Sequence, residues 1–219
     1  MVEIKDLLDL EKTLAAELFA GKTYPWEVLP DISDFILKLG ETLSADEFDH
    51  PAEGVWIAKD AKVFPSAYIG APCIIDHEAE VRHCAFIRGS AIVGKGAVVG
   101  NSTELKNVVL FDKVQVPHYN YVGDSVLGYK AHMGAGSITS NVKSDKSLVV
   151  VKQPGNHIET GRKKVGAMLG DYVEVGCNSV LNPGTVVGRD SSIYPTSCVR
   201  GVVPERSIFK VSGEIMPKK

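Results

Sequence analysis

The 219-residue chain has no Cys-x-x-Cys pair; Cys73, Cys84, Cys177 and Cys198 stand far apart. Without that spacing, four thiols in a chain of this size are expected to be reduced and buried rather than paired. No apolar run approaches the roughly 18 residues that a bilayer span requires. The opening MVEIKDLLDLEKTLAAEL mixes acids and lysines through its apolar positions, so a signal peptide is not expected. A strong excess of either charge is missing too. A net charge of −3 supplies no electrostatic reason for a nucleic acid or an anionic membrane as partner. What is present, 44% apolar and 23% charged residues, suits one full-sized soluble domain with a small appendage. The address this predicts is the cytoplasm.

An internal period dominates the rest. Stepping by sixes, Ile57, Val63, Ile69, Ile75, Val81, Ile87, Val93, Val99 and Leu105 are all Val, Ile or Leu. The comb resumes at Leu169, Val175, Leu181, Val187, Ile193 and Val199. Between the two runs it slips through Leu110, Val116, Val122, Leu127, Met133 and Ile138, where some steps are five. A slip is tolerable if the displaced residue sits at a corner. Glycine directly follows the inward residue at Gly70, Gly94, Gly100, Gly123, Gly128, Gly134, Gly170, Gly176 and Gly188. Its permissive backbone geometry suits a tight, repeated corner. Period six fits neither a helix nor a lone amphipathic strand. It fits short strands joined by turns, three to a triangular coil of 18 residues, with coils stacked at roughly 4.8 Å. About six coils, on the order of 30 Å, are expected. Leucine-rich and right-handed solenoids have longer repeats.

Residues 1–50 lack the comb. Ile32, Phe35, Ile36 and Leu39 mark an amphipathic helix after Pro30, and Leu7, Leu10, Leu14 and Leu18 suggest another ending before Gly21. This predicts a helical cap over residues 1–50, covering the open end of a β-helix that occupies 51–219. The comb also lapses at about 139–168, where a strand at Leu148–Val151, a turn at Pro154–Gly155 and a basic run at Arg162–Lys164 are expected. Such an excursion is commonly functional, although a basic run is as readily a solvated loop.

Arg88 and Lys106 each follow an inward residue and lie 18 residues apart. One lap of the prism therefore stacks them on the same face, where an anion such as phosphate would relieve their repulsion. Pairing with Glu104 or Asp124 is the alternative. Downstream lie His118, Tyr121 and the Gly134–Gly136 segment. A neutral imidazole can take a proton from an attacking amine, and glycine-rich amides can support an oxyanion.

The words VGNSTELK (99–106), PHYNYVGDSVLG (117–128) and GAGSITSN (134–141), five-residue slips included, resemble the acetyltransferase domain of the bacterial N-acetylglucosamine-1-phosphate uridyltransferases. That domain belongs to the hexapeptide-repeat acyltransferases. The resemblance covers roughly residues 55–205. It implies an all-β, single-stranded left-handed parallel β-helix, against the usual right-handed crossover preference. It also implies acetyl transfer from acetyl-CoA to the amine of glucosamine 1-phosphate, without a covalent enzyme intermediate, in a homotrimer that shares its sites. In these roles Arg88 and Lys106 would hold the sugar phosphate, and His118 would be the general base. Tyr121 would touch the sugar, Asn141 would position the acceptor, and the backbone around Ala135 would contact acetyl-CoA. Four departures stand out. His132 replaces a substrate-binding asparagine, Val142 replaces a tyrosine, and Cys177 stands for a small serine near the acyl donor. The tail after Val203 lacks a strongly basic arm. The stretch TGRKKVGAMLGD also resembles related nucleotidyltransferases of archaeal type. No L-x-x-G-x-G-T-R-M word is found, so the chain is not expected to make the nucleoside diphosphate bond.

Two other functions fit the same scaffold. One is a non-catalytic trimeric module that binds or senses a sugar phosphate. The other is a γ-type carbonic anhydrase, invited by His83 and His118, although Val122 and Gly123 stand where a third imidazole would be needed. No metal is expected.

Overall fold

The computed structural model describes residues 2–153 and 155–218. They form a left-handed parallel β-helix with three walls. On wall 1, Val55–Ala58 pairs in parallel with Cys73–Ile75, and the ladder continues through Ala91–Val93, 108–110, 125–127, Ala167–Leu169, Thr185–Val187 and Val202–Val203. Wall 2 runs from Lys62–Val63 to Ser207–Phe209, and wall 3 from Tyr68–Ile69 to Cys198–Val199. Wall 1 thus has eight rungs rather than the expected six or so, because the prism runs on past Val199 to Val203 and Phe209.

The comb residues other than Ile138 are the inward rungs. Ile75, Ile87, Val93, Val99, Leu105, Leu127 and Leu181 are fully buried. The five-residue steps fall at the corner between walls 3 and 1, where Glu104–Leu110 and Tyr121–Leu127 run through the corner as continuous strands. One inward position differs from expectation. Thr139, not Ile138, pairs with Leu181 and is fully buried. Its hydroxyl is satisfied inside, accepting the Gly123 N–H at 2.9 Å.

The repeated glycines serve a different purpose from the one expected. None of the nine has positive φ. They are required because successive coils touch: a Cβ on Gly100 would lie 1.6 Å from the Pro117 oxygen, and one on Gly188 would lie 2.3 Å from the Glu205 nitrogen. The left-handed corner conformation falls mostly to other residues, among them Asn107, Tyr119, Asp124, Lys130 and Asn178. Each such residue costs about 1–2 kcal/mol.

Wall 1 is also apolar on its outer side, where Ile74, Ile92, Val109, Val126, Met168 and Val186 alternate with the inward rungs. Two segments cover it. The helix Ile32–Gly40 packs on the second, third and fourth rungs, with Gly40 under the Trp56 indole. The hairpin of Val150–Gln153 and Asn156–Glu159 buries Val149 and Val151 near the last two rungs. The helix Ile32–Gly40 is therefore cladding along a wall, and only the last residues of the N-terminal segment, 48–50, reach the open end. The edges are closed instead by Phe48–Ala52, antiparallel to Val55–Ala58, and by Ile215–Pro217, antiparallel to Ser207–Phe209.

The helix expected through Leu7–Leu18 is broken into Ile4–Leu7 and two 3-10 turns, Leu10–Lys12 and Ala16–Phe19. Bonds to the prism interrupt it. The Leu7 carbonyl accepts the Asp171 N–H at 2.9 Å, the Lys12 carbonyl accepts the Asp112 N–H at 3.0 Å, and the Asp9 N–H donates to Asp171 Oδ2.

The excursion leaves after Thr139 and returns at Ala167. Its first strand is Val150–Gln153, two residues beyond the expected start. Of the expected turn, Gly155 has φ +75° and Pro154 lies outside the described residues. Cys73 is buried, its thiol pushed up to about 12 by desolvation. Cys84, Cys177 and Cys198 are free but exposed, contrary to expectation, because they occupy corners or the outer face of wall 3. No helix among the described residues is long and apolar enough to cross a membrane.

Ile92 lies between the prism and its helical cladding and is fully buried. Ile92→Ala is expected to lower the unfolding free energy by about 2–5 kcal/mol in urea titrations.

Candidate active site

Candidate residues gather at the two corners that bound wall 3. At the corner between walls 3 and 1, Ile87 pairs with Leu105 and Leu105 with Val122. Arg88 and Lys106 therefore follow in register, one coil apart, as the 18-residue spacing requires. They do not face each other across an empty gap. Arg88 Nη1 donates to Glu104 Oε1 at 2.9 Å, and Lys106 Nζ donates to Asp124 Oδ1 at 2.9 Å. Of the two sequence alternatives, acid pairing is the one realised in the free chain.

The two pairs differ in kind. Arg88–Glu104 is open to solvent, so it is screened by salt and holds its partners weakly. The Glu104 hydrogen bond nonetheless keeps the Arg88 guanidinium still more firmly protonated than usual. The Asp124 carboxylate is buried, 3% exposed, and also accepts from Asn107 Nδ2 and Asn141 Nδ2. With Lys106 Nζ also reaching Oδ2 at 3.1 Å, four donor bonds on one buried carboxylate make Asp124 the organiser of this corner.

Tyr121 and Asn141 join the same network, Asn141 Nδ2 donating to Tyr121 Oη at 3.2 Å. The phenol folds over Gly123, where a Cβ would lie 2.5 Å from the oxygen. Burial raises the Tyr121 pKa above its ordinary value, with the negative charges of Asp124 and Glu104 adding to the rise. The phenol stays neutral, with its own proton available to a ligand.

At the other corner, between walls 2 and 3, His118, Ala135 and Cys177 form a column. The Gly136 N–H donates to the His118 carbonyl at 3.0 Å, and the Asn178 N–H to the Ala135 carbonyl at 2.8 Å. Gly134 lies beneath Cys177, with no room for a Cβ. The glycine-rich amides are less available than expected. Gly134 and Gly136 donate to backbone carbonyls, and among the described residues only the Ala135 N–H of this trio lacks a backbone acceptor. The His118 imidazole is exposed, and among the described residues it has no hydrogen-bond partner. Its backbone is held by Asn120, a buried side chain that accepts the His118 N–H and donates to the Gly134 and Ser137 carbonyls. Asn120 escaped the sequence reading, although it lies 17 residues, one shortened lap, from Ser137.

His132 is not brought to this cluster. It sits on wall 2, with Nδ1 2.7 Å from Glu174 Oε2, facing a separate cavity of about 530 Å³. His83 contacts Ser66 Oγ at 2.8 Å, and among the described residues no three His, Cys, Asp or Glu side chains converge to hold a metal ion. The basic run Arg162–Lys164 reaches the corner of Lys106 and Asp124, where these residues line a shallow cavity of about 500 Å³.

The model of the GMPPB C-terminal domain matches residues 69–211, well over half of the chain. The chain belongs to that family. It is 31% identical over 191 residues to a bifunctional sugar-1-phosphate nucleotidylyltransferase/acetyltransferase of Sulfurisphaera tokodaii, covering 85% of this chain and 47% of that protein. It is 29% identical over 222 residues to the bifunctional protein GlmU of Methanococcus maripaludis strain C5, covering 99% and 54%. The chain thus spans about half the length of these curated relatives. Among solved structures, the acetyltransferase domain of PglB from Neisseria gonorrhoeae superposes with a TM-score of 0.32 at 17% identity, over 74% of this chain and 57% of that one.

The Asp124 network can be tested directly. Asp124→Asn leaves the Lys106 ammonium without its counter-charge and turns an acceptor into an N–H₂ group facing donors. Chemical denaturation should show a loss of about 2–4 kcal/mol. Glu104→Gln, at the exposed pair, should leave the midpoint nearly unchanged.

Proposed function

We propose that the chain transfers an acetyl group from acetyl-CoA to the amine of a sugar phosphate, with glucosamine 1-phosphate as the first acceptor to try. The observation that supports this most is the division of labour across wall 3. One corner presents hydrogen-bonding groups suited to a phosphorylated sugar, and the other presents a solvent-facing imidazole beside a column of small residues. The relatives whose names include sugar-1-phosphate chemistry and acetyl transfer point the same way.

In this reading the acceptor lies along wall 3. Its phosphate end meets the Arg88 and Lys106 corner, and Tyr121 and Asn141 hold the sugar through their shared hydrogen bond. His118 takes the proton from the amine as it attacks, which requires the neutral imidazole. The amine attacks the thioester carbon of the acyl donor directly; the C–N bond forms, the C–S bond breaks, and the CoA thiolate leaves, to be protonated by the imidazolium of His118. The corner of Ala135 and Cys177 fits such a donor: its side chains are small, and the Ala135 N–H is available to its carbonyl oxygen.

Among the described residues no group of the same chain orients the His118 ring, and His132 faces away on wall 2. Both facts are met by a homotrimer in which a neighbouring subunit completes the site. A cytoplasmic location agrees with the substrates proposed.

Thiol release from acetyl-CoA in the presence of glucosamine 1-phosphate tests the reading. His118→Ala should lose at least about a hundredfold in rate, the usual size of a general-base contribution. Equal rates for the two proteins would remove His118 from the chemistry. Saturable binding of the sugar phosphate with no affinity for acetyl-CoA would instead identify a binding module.

A further inference from the structure

Phosphate recognition at the corner between walls 3 and 1 faces a difficulty of charge. Arg88 is matched by Glu104 and Lys106 by Asp124, so the four groups together attract a dianion little. The missing positive charge lies on the excursion. Arg162, Lys163 and Lys164 are consecutive, and among the described residues none of them pairs with a carboxylate. The Arg162 Nε is buried and finds no acceptor among the described residues.

This run is fastened rather than loose. The Arg162 carbonyl accepts the Val149 N–H at 2.7 Å, and the Arg162 N–H donates to Thr160 Oγ1 at 3.2 Å. Lys164 bridges to Val142, the Val165 N–H donates to the Asn141 carbonyl, and the Gly166 N–H donates to the Asp124 carbonyl at 2.8 Å. A Cβ on Gly166 would lie 2.2 Å from the Gly123 oxygen, so the chain is drawn tightly against the corner. The three cations therefore stand beside Lys106 and Asn107 around the cavity of about 500 Å³, over a floor of Leu29 and Pro30. That volume is the size of a small-molecule site.

Four cations and one carboxylate line it, a net charge of +3 around one cavity. An excess of positive charge around one cavity attracts an anion, and forked guanidinium and point-like ammonium donors together suit phosphate oxygens. We propose that this pocket, formed by Lys106, Asn107 and Arg162–Lys164, is the seat of the phosphate group of a phosphorylated ligand. Under the acetyl-transfer reading, on which the identity of that ligand rests, the group is the phosphate of the acceptor. Arg88 and Lys106 then orient it, and the basic run supplies the attraction.

The test is calorimetric titration of the full-length chain with inorganic pyrophosphate and, separately, with glucosamine 1-phosphate. Arg162→Gln/Lys163→Gln/Lys164→Gln should weaken pyrophosphate at least tenfold and flatten the dependence of its affinity on NaCl. Lys5→Gln/Lys38→Gln/Lys59→Gln, which removes the same charge elsewhere, should keep the affinity, as should the charge-retaining Arg162→Lys/Lys163→Arg/Lys164→Arg. No pyrophosphate binding by the wild type at low salt, or equal weakening by both glutamine triples, would overturn the pocket. Parallel thiol-release assays separate the two ideas. Pyrophosphate binding that depends on the run, without acetyl transfer, upholds the pocket and removes the acceptor chemistry. Acetyl transfer to glucosamine 1-phosphate with an unchanged KM in the 162–164 glutamine triple upholds the chemistry and overturns the pocket.

Discussion

Everything in this molecule hangs on the parallel ladder that stacks one coil on the next. A strand of two or three residues is too short to persist alone; it persists because each inward Val, Ile or Leu rests on another one lap away. The ladder leaves almost no gap between coils, which is why glycine is obligatory at so many corners. It also makes the outer surface a ruled one, where side chains a lap apart are neighbours whether or not their chemistry agrees.

That ruling explains how the corner between walls 3 and 1 is built. Arg88 above Lys106 would be a repulsive pair if left alone. The same geometry places Asp124 one lap below Lys106, and Glu104 diagonally beside Arg88, so the surface neutralises itself. The buried Asp124 then gathers Asn107 and Asn141, and through Asn141 it also holds Tyr121. The corner is held in one arrangement because its acid is buried and hydrogen-bonded on both oxygens.

Much of this was legible beforehand, for reasons that can be named. The comb is a direct consequence of stacking, so Ile57 to Leu105 revealed the coil, and the 18-residue lap placed Arg88 over Lys106. The hand of the coil came only through resemblance, since period six is blind to it. Other features depend on information the period does not hold. Thr139 could replace an aliphatic rung because its hydroxyl finds Gly123 inside. Leu7 to Leu18 read as one helix because its apolar spacing is helical, yet carbonyls of that segment are claimed by Asp112 and Asp171. His132 was grouped with the substrate residues through resemblance alone, and the chain turns two corners between Tyr121 on wall 3 and His132 on wall 2. The basic run was visible as charge. Its position beside Lys106 was not, because the excursion interrupts the count that located everything else.

The excursion itself departs and returns without disturbing the rungs on either side. Val126 meets Met168 and Leu127 meets Leu169 as though the intervening segment were absent. Length and composition there are thus decoupled from the register of the scaffold, and lengthening the segment would cost little closure entropy. A chain built this way can acquire a new ligand preference by rewriting one detour, while the load on the stacked coils stays the same.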